Sequence, residues 1–323
     1  MRHFVASKTA PSDARQFASD VEYYLTLAPR QLPSRYFYDP LGSALFEAIC
    51  HLPWYSVTRA EEKLLVKHGT RVLSHLEPLT TLVELGPGSG DKLSLLLESR
   101  RSGRHLTLHL VDVSAAALAT ASYALGAHDN LTIVTHQQTY EAGLEEATRE
   151  SHRGRTLALF LGSNIGNFDP PGADEFLRTI RSALFPGDAL LLGADLVKPE
   201  AELLRAYDDP LGVTAAFNRN LLVRINRELR GNFDIDAFGH RAVWDREHSR
   251  VEMHLVSHGK QRVRVLDAAL DFTLDEGETI WTESSYKYEP SGALKMLEGA
   301  GFAPIEHWVD ESDGFALMLA QAA

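Results

Sequence analysis

Short apolar runs alternate with amphipathic segments between about residues 80 and 197. Five of these runs are predicted to be buried strands: TTLVEL, HLTLHLVDV, LTIVTHQ, TLALFLGS and DALLLGADL. Helical patterns lie between several of them, at DKLSLLLES, SAAALATASYAL and residues 174–184. Short buried strands joined through helices predict a parallel sheet covered on both faces. In such a sheet, ligands bind at the carboxyl ends of the strands.

The alternation of short apolar runs and amphipathic segments is absent before and after that region. Up to about residue 59 the chain reads as helical, with a loop rich in aromatics and prolines, and the apolar spacing in SALFEAI predicts one short helix. Thr58, followed by Glu61 and Glu62, resembles a capping box that opens the next helix.

After about residue 198, a helix is predicted over 213–229. Four alternating segments follow and predict an antiparallel meander with one strand each: RAVWD, RVEMHLVSH, QRVRVLDAALDF and TIWTESSYKY. A helix near 293–299 then leads to IEHWVD and FALMLAQ, which we interpret as a hairpin at the edge of the main sheet. The sequence thus predicts a main domain of residues 60–197 and 290–323, and a second lobe of residues 20–59 and 198–289.

Composition narrows the range of partners. The formal net charge of −12 over 323 residues disfavours nucleic acid and anionic membranes. Cys50 is the single cysteine, and neither a signal-peptide core nor an apolar run of about 18 residues occurs. His105 and His109 share a strand face but lack a third ligand, so no metal site is predicted. We expect a cytoplasmic monomer that acts on a small molecule.

The stretch VELGPGSGDK joins a predicted strand to a predicted helix through three glycines. A dinucleotide fingerprint would place its third glycine at position 91, which is Asp91 here, and a P-loop would end in Gly-Lys-Ser/Thr. Glu84 would repel a pyrophosphate. The turn therefore suits a ligand with an ammonium group and no phosphate, such as S-adenosylmethionine.

Asp112 supports this interpretation, because it ends the next predicted strand. A carboxylate there can accept hydrogen bonds from two ribose hydroxyls. The alternative is that Asp112 caps the helix that starts after Ser114. Lys92 can contact the carboxylate of the cofactor, or it can be a solvated helix lysine.

The chain resembles the L-histidine Nα-methyltransferases of ergothioneine biosynthesis over nearly its full length. The matching stretches are YFYDPLGSALFEAI, LPWYSVTRAE, VELGPGSGDK, LFLGSNIGN, GADLVKPEAELLRAYDD, GVTAAFNRN, INRELRGNFDIDAF and TESSYKY. The resemblance implies an α/β fold: a class I, Rossmann-like methyltransferase domain with a mostly parallel seven-stranded sheet, and an inserted α+β substrate-binding lobe. It also implies three methyl transfers from S-adenosylmethionine to the α-amino group of L-histidine, which give hercynine.

The resemblance also implies the residues that bind the cofactor: Tyr55, Gly86, Lys92, Asp112, Thr139 and Tyr140. Thr139 departs from the family, which commonly has an acidic residue there. A threonine hydroxyl accepts more weakly than a carboxylate from the adenine amino group, and Gln138 is an alternative acceptor.

For the substrate, the resemblance implies Tyr38, Gly162, Asn167, Tyr207, Met253, Glu283 and Ser285, and Tyr38 is also expected to orient the amine and take part in proton release. Glu283 and Ser285 would share one strand face, where a carboxylate beside a hydroxyl suits an imidazole ring. The residues alone leave other interpretations open: an exposed polar strand face for this pair, a turn residue for Asn167, and core packing for Met253.

Two other functions also remain open at this point. One is an N-methyltransferase of the same fold that acts on another amino acid, such as a tryptophan derivative. The other is a regulatory or scaffold protein that binds the cofactor without turnover.

Overall fold

A computed structural model of the protein describes residues 4–6, 13–100, 103–149 and 154–323. The chain forms two compact units. The first contains the described residues of Met1–Thr9, Ser56–Val197 and Lys287–Ala323, and the second those of Ala10–Tyr55 and Lys198–Tyr286.

The described residues contain fourteen strands and ten α-helices. The strands are β1 (Phe4–Ala6), β2 (Arg30–Gln31), β3 (Leu79–Leu85), β4 (Leu106–Asp112), β5 (Leu131–Gln137), β6 (Arg155–Phe160), β7 (Ala189–Asp195), β8 (Phe238–Asp245), β9 (Arg250–Ser257), β10 (Gln261–Val265), β11 (Leu270–Leu274), β12 (Thr279–Tyr286), β13 (Phe302–Asp310) and β14 (Phe315–Ala322). The helices are α1 (Asp13–Thr26), α2 (Pro40–Cys50), α3 (Ser56–Ser74), α4 (Asp91–Glu98), α5 (Ala115–Leu125), α6 (Tyr140–Arg149), α7 (Pro170–Ala183), α8 (Glu200–Tyr207), α9 (Val213–Glu228) and α10 (Pro290–Gly299).

The first unit is built on one twisted sheet with the strand order β1-β5-β4-β3-β6-β7-β14-β13. In this sheet order, the first six strands are parallel to one another. β14 is antiparallel to both β7 and β13. The predicted seven-stranded, mostly parallel sheet is confirmed, and the short β1 extends it beside β5. The hairpin predicted from IEHWVD and FALMLAQ is confirmed as β13 and β14.

The apolar runs form strands because both faces of the sheet are covered. All seven residues of β7 are buried, as are the last five of β3. The sequence prediction missed α6, and it placed the start of α7 four residues late. The start of α7 is set by Asp169, whose side chain accepts from the Gly172 amide while Pro170 occupies the first turn.

The second unit contains a four-stranded sheet, β2-β12-β9-β8, and a separate hairpin of β10 and β11. The predicted single strand QRVRVLDAALDF was wrong, because the chain reverses within it. A 3₁₀ turn at Leu266–Ala268 and a left-handed Ala269 (φ +51°) divide the segment. The buried Val263 and Val265 belong to β10, and β11 returns antiparallel to it. The meander is therefore β8, β9 and β12, interrupted by this hairpin.

No helix among the described residues is long and apolar enough to cross a membrane.

Gly143 lies where α6 packs against Val111 of β4. A Cβ atom added there would lie 2.2 Å from Cγ1 of Val111. We expect Gly143→Ala to destabilise the protein by about 1–3 kcal/mol, because the buried valine must move. Gly292→Ala in α10 is the matched control, since a Cβ there meets nothing within 4 Å. This control should be neutral or stabilise by about 0.5–1 kcal/mol. Urea unfolding measures both, and equal midpoints for the two variants would contradict this packing.

Candidate active site

The three glycines form a turn between β3 and α4, as the sequence predicts. Gly86, Gly88 and Gly90 all have positive φ angles, of 77°, 54° and 86°. A Cβ on Gly86 would lie 3.0 Å from the Tyr140 hydroxyl and 3.2 Å from Nδ2 of Asn164. Glycine is therefore required at position 86 both for its conformation and for the close approach of these two side chains.

Asp112 lies at the carboxyl end of β4, the strand beside β3. Its Oδ1 accepts from the Ser114 amide at 2.8 Å, and burial raises the pKa of Asp112 to about 6 against the effect of its backbone hydrogen bonds. The residue that caps α5 is Ser114, whose hydroxyl accepts from the Ala117 amide at 3.2 Å. The helix-cap interpretation of Asp112 is therefore wrong.

Tyr140 follows β5 in the chain, and its side chain lies close to the glycine turn. It is the first residue of α6, and its ring packs edge-on against Phe160 with the centroids 5.5 Å apart. Burial raises the pKa of Tyr140, and the negative charge of Asp112 adds to this effect. The phenol therefore stays neutral and lies close to Gly86. Thr139, just before it, is exposed, and its carbonyl accepts from the Gly143 amide.

Lys92 is not a solvated lysine. Its ammonium lies 2.6 Å from Oε2 of Glu61, which is fully buried. The same carboxylate accepts from the Gly162 amide, at 3.0 Å and 2.8 Å from its two oxygens. The resemblance implied Lys92 for the cofactor and Gly162 for the substrate. In the structure, both contact the buried carboxylate of Glu61.

Glu61 was missed as a site residue. The capping-box interpretation of Thr58 was wrong, because α3 already begins at Ser56 and Glu61 lies in its second turn. The signal that could have found it is its place on the buried stripe of α3, which includes Val57, Leu64 and Leu65. An acid on such an apolar stripe needs a buried partner.

Glu84 provides a second buried carboxyl group in this region. It is the penultimate residue of β3, and its Oε2 has no hydrogen-bond partner among the described residues. Burial raises the pKa of Glu84 to about 8, and the charge of Glu61 raises it further while that of Lys92 opposes both. A buried carboxyl oxygen without a partner is suited to a hydrogen-bond donor on a ligand.

The loop after β6 contains Gly162, the left-handed Ser163 (φ +58°) and a 3₁₀ turn over Asn164–Asn167. The Tyr288 hydroxyl donates to the Ile165 carbonyl at 3.1 Å and holds this turn. Asn167 is half-buried at its end. The sequence singled out Asn167 but missed Asn164, whose amide is the one close to Gly86.

In the second unit, Tyr207 and Ser285 are joined directly. The Tyr207 hydroxyl donates to Oγ of Ser285 at 2.7 Å, and both residues are buried. The Tyr207 carbonyl accepts from Nε2 of His240 at 2.8 Å. The resemblance implied both as substrate residues, but the sequence did not predict their contact.

Met253 and Glu283 face each other across the antiparallel pair of β9 and β12. The register shifts between Trp281 and Glu283, which marks a β-bulge at Thr282. The Thr282 hydroxyl lies 2.8 Å from Oδ1 of Asn218 and 3.0 Å from the Met253 carbonyl, so the bulge is anchored. After the bulge, Glu283 and Ser285 point to the face that also carries the buried Met253.

Tyr38 and Tyr55 belong to an aromatic cluster in the second unit. The Tyr38 ring lies 5.6 Å from Phe46 and 5.9 Å from Phe217, measured between centroids. Tyr55 lies 6.4 Å from Phe46 and 6.4 Å from Tyr207. Ring contacts therefore extend from Tyr38 through Phe46 and Tyr55 to Tyr207, which is hydrogen-bonded to Ser285.

Comparison with known proteins decides which family this is. The model of the family described as "Histidine-specific methyltransferase, SAM-dependent" matches residues 17–322. The chain belongs to this family.

Two mycobacterial relatives cover nearly the whole of this methyltransferase. The histidine N-alpha-methyltransferase of Mycolicibacterium smegmatis is 42% identical over 96% of both chains, and that of Mycobacterium tuberculosis is 44% identical over 93% of both. Ergothioneine biosynthesis protein 1 of Neurospora crassa is 28% identical, over 87% of this chain and 32% of its own.

The residues of the first unit fit the cofactor of the family, S-adenosylmethionine. Its ammonium group is a hydrogen-bond donor, which suits the unsatisfied Oε2 of the buried Glu84. Asp112 is an acceptor of the kind that two ribose hydroxyls require, Lys92 is a cation that suits a carboxylate, and the bare backbone at Gly86 leaves room beside Tyr140. No phosphate has to be accommodated next to these acids.

The ribose role of Asp112 predicts a pH dependence of cofactor binding. Since burial raises its pKa to about 6, the carboxylate is protonated at pH 5 and ionised at pH 7.5. The affinity for S-adenosylhomocysteine should therefore fall as the pH drops through 6. Asp112→Asn should weaken binding at pH 7.5 by about tenfold to a hundredfold and flatten this dependence.

Isothermal titration calorimetry between pH 5 and 8 measures this effect. Ser114→Ala is the matched control, because it removes the cap of α5 but keeps the carboxylate. Its pH dependence should match that of the native enzyme. An Asp112→Asn variant with native affinity at pH 7.5 would contradict the assignment.

Proposed function

We propose that this protein transfers three methyl groups from S-adenosylmethionine to the α-amino nitrogen of L-histidine. The product is hercynine, and the reaction is the first step of ergothioneine biosynthesis. The proposal is carried by one observation, the carboxylate of Glu283 beside the Tyr207–Ser285 hydroxyl pair on the face that bears Met253. The 42% identity to a histidine N-alpha-methyltransferase over 96% of both chains supports the same acceptor.

The imidazole ring suits this group of side chains. Glu283 accepts from the ring N–H. Oγ of Ser285 accepts from Tyr207, so its own proton is directed as a donor, which suits the unprotonated ring nitrogen. Met253, only 1% exposed, provides an apolar wall for the ring carbons. A ring with one donor and one acceptor matches both partners, whereas a phenyl ring offers neither a donor to Glu283 nor an acceptor to Ser285.

The cofactor is assigned to Gly86, Lys92, Asp112, Thr139 and Tyr140, together with Tyr55. When bound, S-adenosylmethionine supplies an electrophilic methyl group on its sulfonium. The protein residues orient this group. Asp112 holds the ribose and Lys92 holds the carboxylate, and the glycine turn leaves room for the part of the cofactor between these two groups.

The amino-acid end of the substrate is assigned to Asn167, Gly162 and Tyr207, with Tyr38 at the amine. Only a neutral amine has the lone pair for attack, so one proton leaves before each of the three transfers. Three protons and three molecules of S-adenosylhomocysteine are released for each hercynine, which balances the charge. Tyr38 orients the amine and passes its proton to water, and positioning supplies most of the rate enhancement.

Mass spectrometry of a reaction with S-adenosylmethionine and a panel of amino acids tests this function. We expect L-histidine to gain three methyl groups, with three equivalents of S-adenosylhomocysteine formed, and phenylalanine to react at least about a hundredfold less efficiently. Methylation of a different amine, or cofactor binding without any product, would contradict the proposal.

Glu283 should determine ring selectivity. Glu283→Gln should lower kcat/KM for histidine by about tenfold to a hundredfold, because a charged acceptor for the ring N–H is lost. Glu283→Ala should also narrow the preference for histidine over tryptophan. The affinity for S-adenosylhomocysteine should stay native in both variants.

Glu252→Gln is the matched control for these kinetics. Glu252 precedes Met253 in β9, so its side chain lies on the opposite face of the sheet, where it pairs with Arg250 and His254. Its kcat/KM for histidine should stay within about twofold of native, because Glu252 faces away from Glu283 and Met253. A constant ratio of histidine to tryptophan efficiency across all variants would place ring selectivity elsewhere.

A further inference from the structure

Glu61 belongs to no group that the sequence or the family comparison assigns. It is a fully buried carboxylate on α3, and both of its oxygens are used. Oε2 lies 2.6 Å from the Lys92 ammonium, and the Gly162 amide lies 2.8–3.0 Å from both oxygens. We propose that Glu61 is a positioning residue that holds the Lys92 ammonium in place to receive the carboxylate of the cofactor. This inference rests on the proposed cofactor role of Lys92.

The surrounding backbone is shaped to accommodate this carboxylate. A Cβ on Gly193 would lie 1.9 Å from Oε1 of Glu61. Gly193 lies in β7, a strand buried at every residue, where a glycine costs about 0.5–1 kcal/mol relative to alanine. On the other side, a Cβ on Gly162 would lie 3.2 Å from Nζ of Lys92. Gly193 in β7 and Gly162 in the loop after β6 thus leave the space for the Glu61–Lys92 pair.

The charges explain why the ammonium needs an acid of its own. Glu61, Glu84 and Lys92 interact electrostatically, so two carboxyl groups compete for one cation. Glu61 takes the direct contact, and Glu84 is left protonated at neutral pH, since its pKa is raised to about 8. Without the charge of Glu61, Lys92 would be drawn toward Glu84. The ammonium would then leave the position beside Gly162.

The amide variant Glu61→Gln separates charge from packing. Its carbonyl oxygen, placed where Oε2 lies, can still accept from both the Gly162 amide and the Lys92 ammonium, but the negative charge is gone. The measured quantity is the discrimination ratio, the Kd of decarboxylated S-adenosylhomocysteine divided by the Kd of S-adenosylhomocysteine itself. This ratio reports the contribution of the ligand carboxylate and is insensitive to a general loss of stability.

We expect the native enzyme to discriminate by about tenfold to a hundredfold, the size of one charge-assisted hydrogen bond. Lys92→Met should abolish the discrimination, and Glu61→Gln should reduce it at least fivefold. The double variant should show the same discrimination ratio as Lys92→Met alone, because Glu61 acts through Lys92. The double variant leaves no unpaired buried ammonium, so its stability shows how far a poorly folded Glu61→Gln variant suffers from the lost ion pair.

Lys287→Met is the matched control. It breaks another buried ion pair of the first unit, the 2.9 Å contact between Lys287 and Asp195. Its discrimination ratio should stay native although its stability falls. If Lys92→Met keeps the native ratio, the cofactor role of Lys92 is wrong and the inference falls with it. If Lys92→Met abolishes the ratio and Glu61→Gln leaves it native, the cofactor role stands and the positioning role of Glu61 is wrong.

Discussion

The parallel sheet of the first unit is buried on both faces, and this constraint governs where polar chemistry can occur. Along β3 and β7 almost every side chain is enclosed, so a charged group inside the sheet is costly unless it is paired. At the carboxyl ends of the strands the chain leaves the sheet in loops. Asp112, the glycine turn and the Gly162 loop all lie at these ends, and this is where a doubly covered sheet can bind a ligand.

The buried charges at this edge form a connected group. An isolated carboxylate in such surroundings would neutralise itself by taking up a proton, as Glu84 does. Glu61 instead has an ammonium and a backbone amide as partners. Buried ion pairs of this kind add little net stability, because desolvation offsets their attraction. Their value lies in holding a charged group in one place, which is what recognition of a zwitterionic ligand requires.

In the second unit, polar side chains project from a sheet face that is otherwise buried. A regular β12 would alternate its side chains without interruption. The bulge at Thr282 shifts this alternation, so that Glu283 and Ser285 follow on the face of Met253. Asn218 is fully buried and links the bulge to His240, which in turn donates to the Tyr207 carbonyl. The hydroxyl pair is thus supported from both strands and helices.

Much of the first unit could be read from the sequence, because its signals are local. Apolar runs predicted its strands, and the glycines at 86, 88 and 90 predicted a turn, where the structure gives all three positive φ angles. The failures were local signals overridden by packing. QRVRVLDAALDF alternates like one strand, yet Ala269 reverses the chain, and the box at Thr58 lies inside a helix that starts earlier.

Contacts between distant residues were decided by the tertiary structure alone. The amide of Gly162 and the carboxylate of Glu61 are 101 positions apart, and Tyr207 and Ser285 are 78 apart. Periodicity describes which face a residue occupies, but it carries no information on which residue of another element packs against that face. The sequence by itself determined the sheet, the glycine turn and the acid at the end of β4. Only the fold brought Glu61 to Lys92, because that pairing requires α3, α4 and the loop after β6 to pack together.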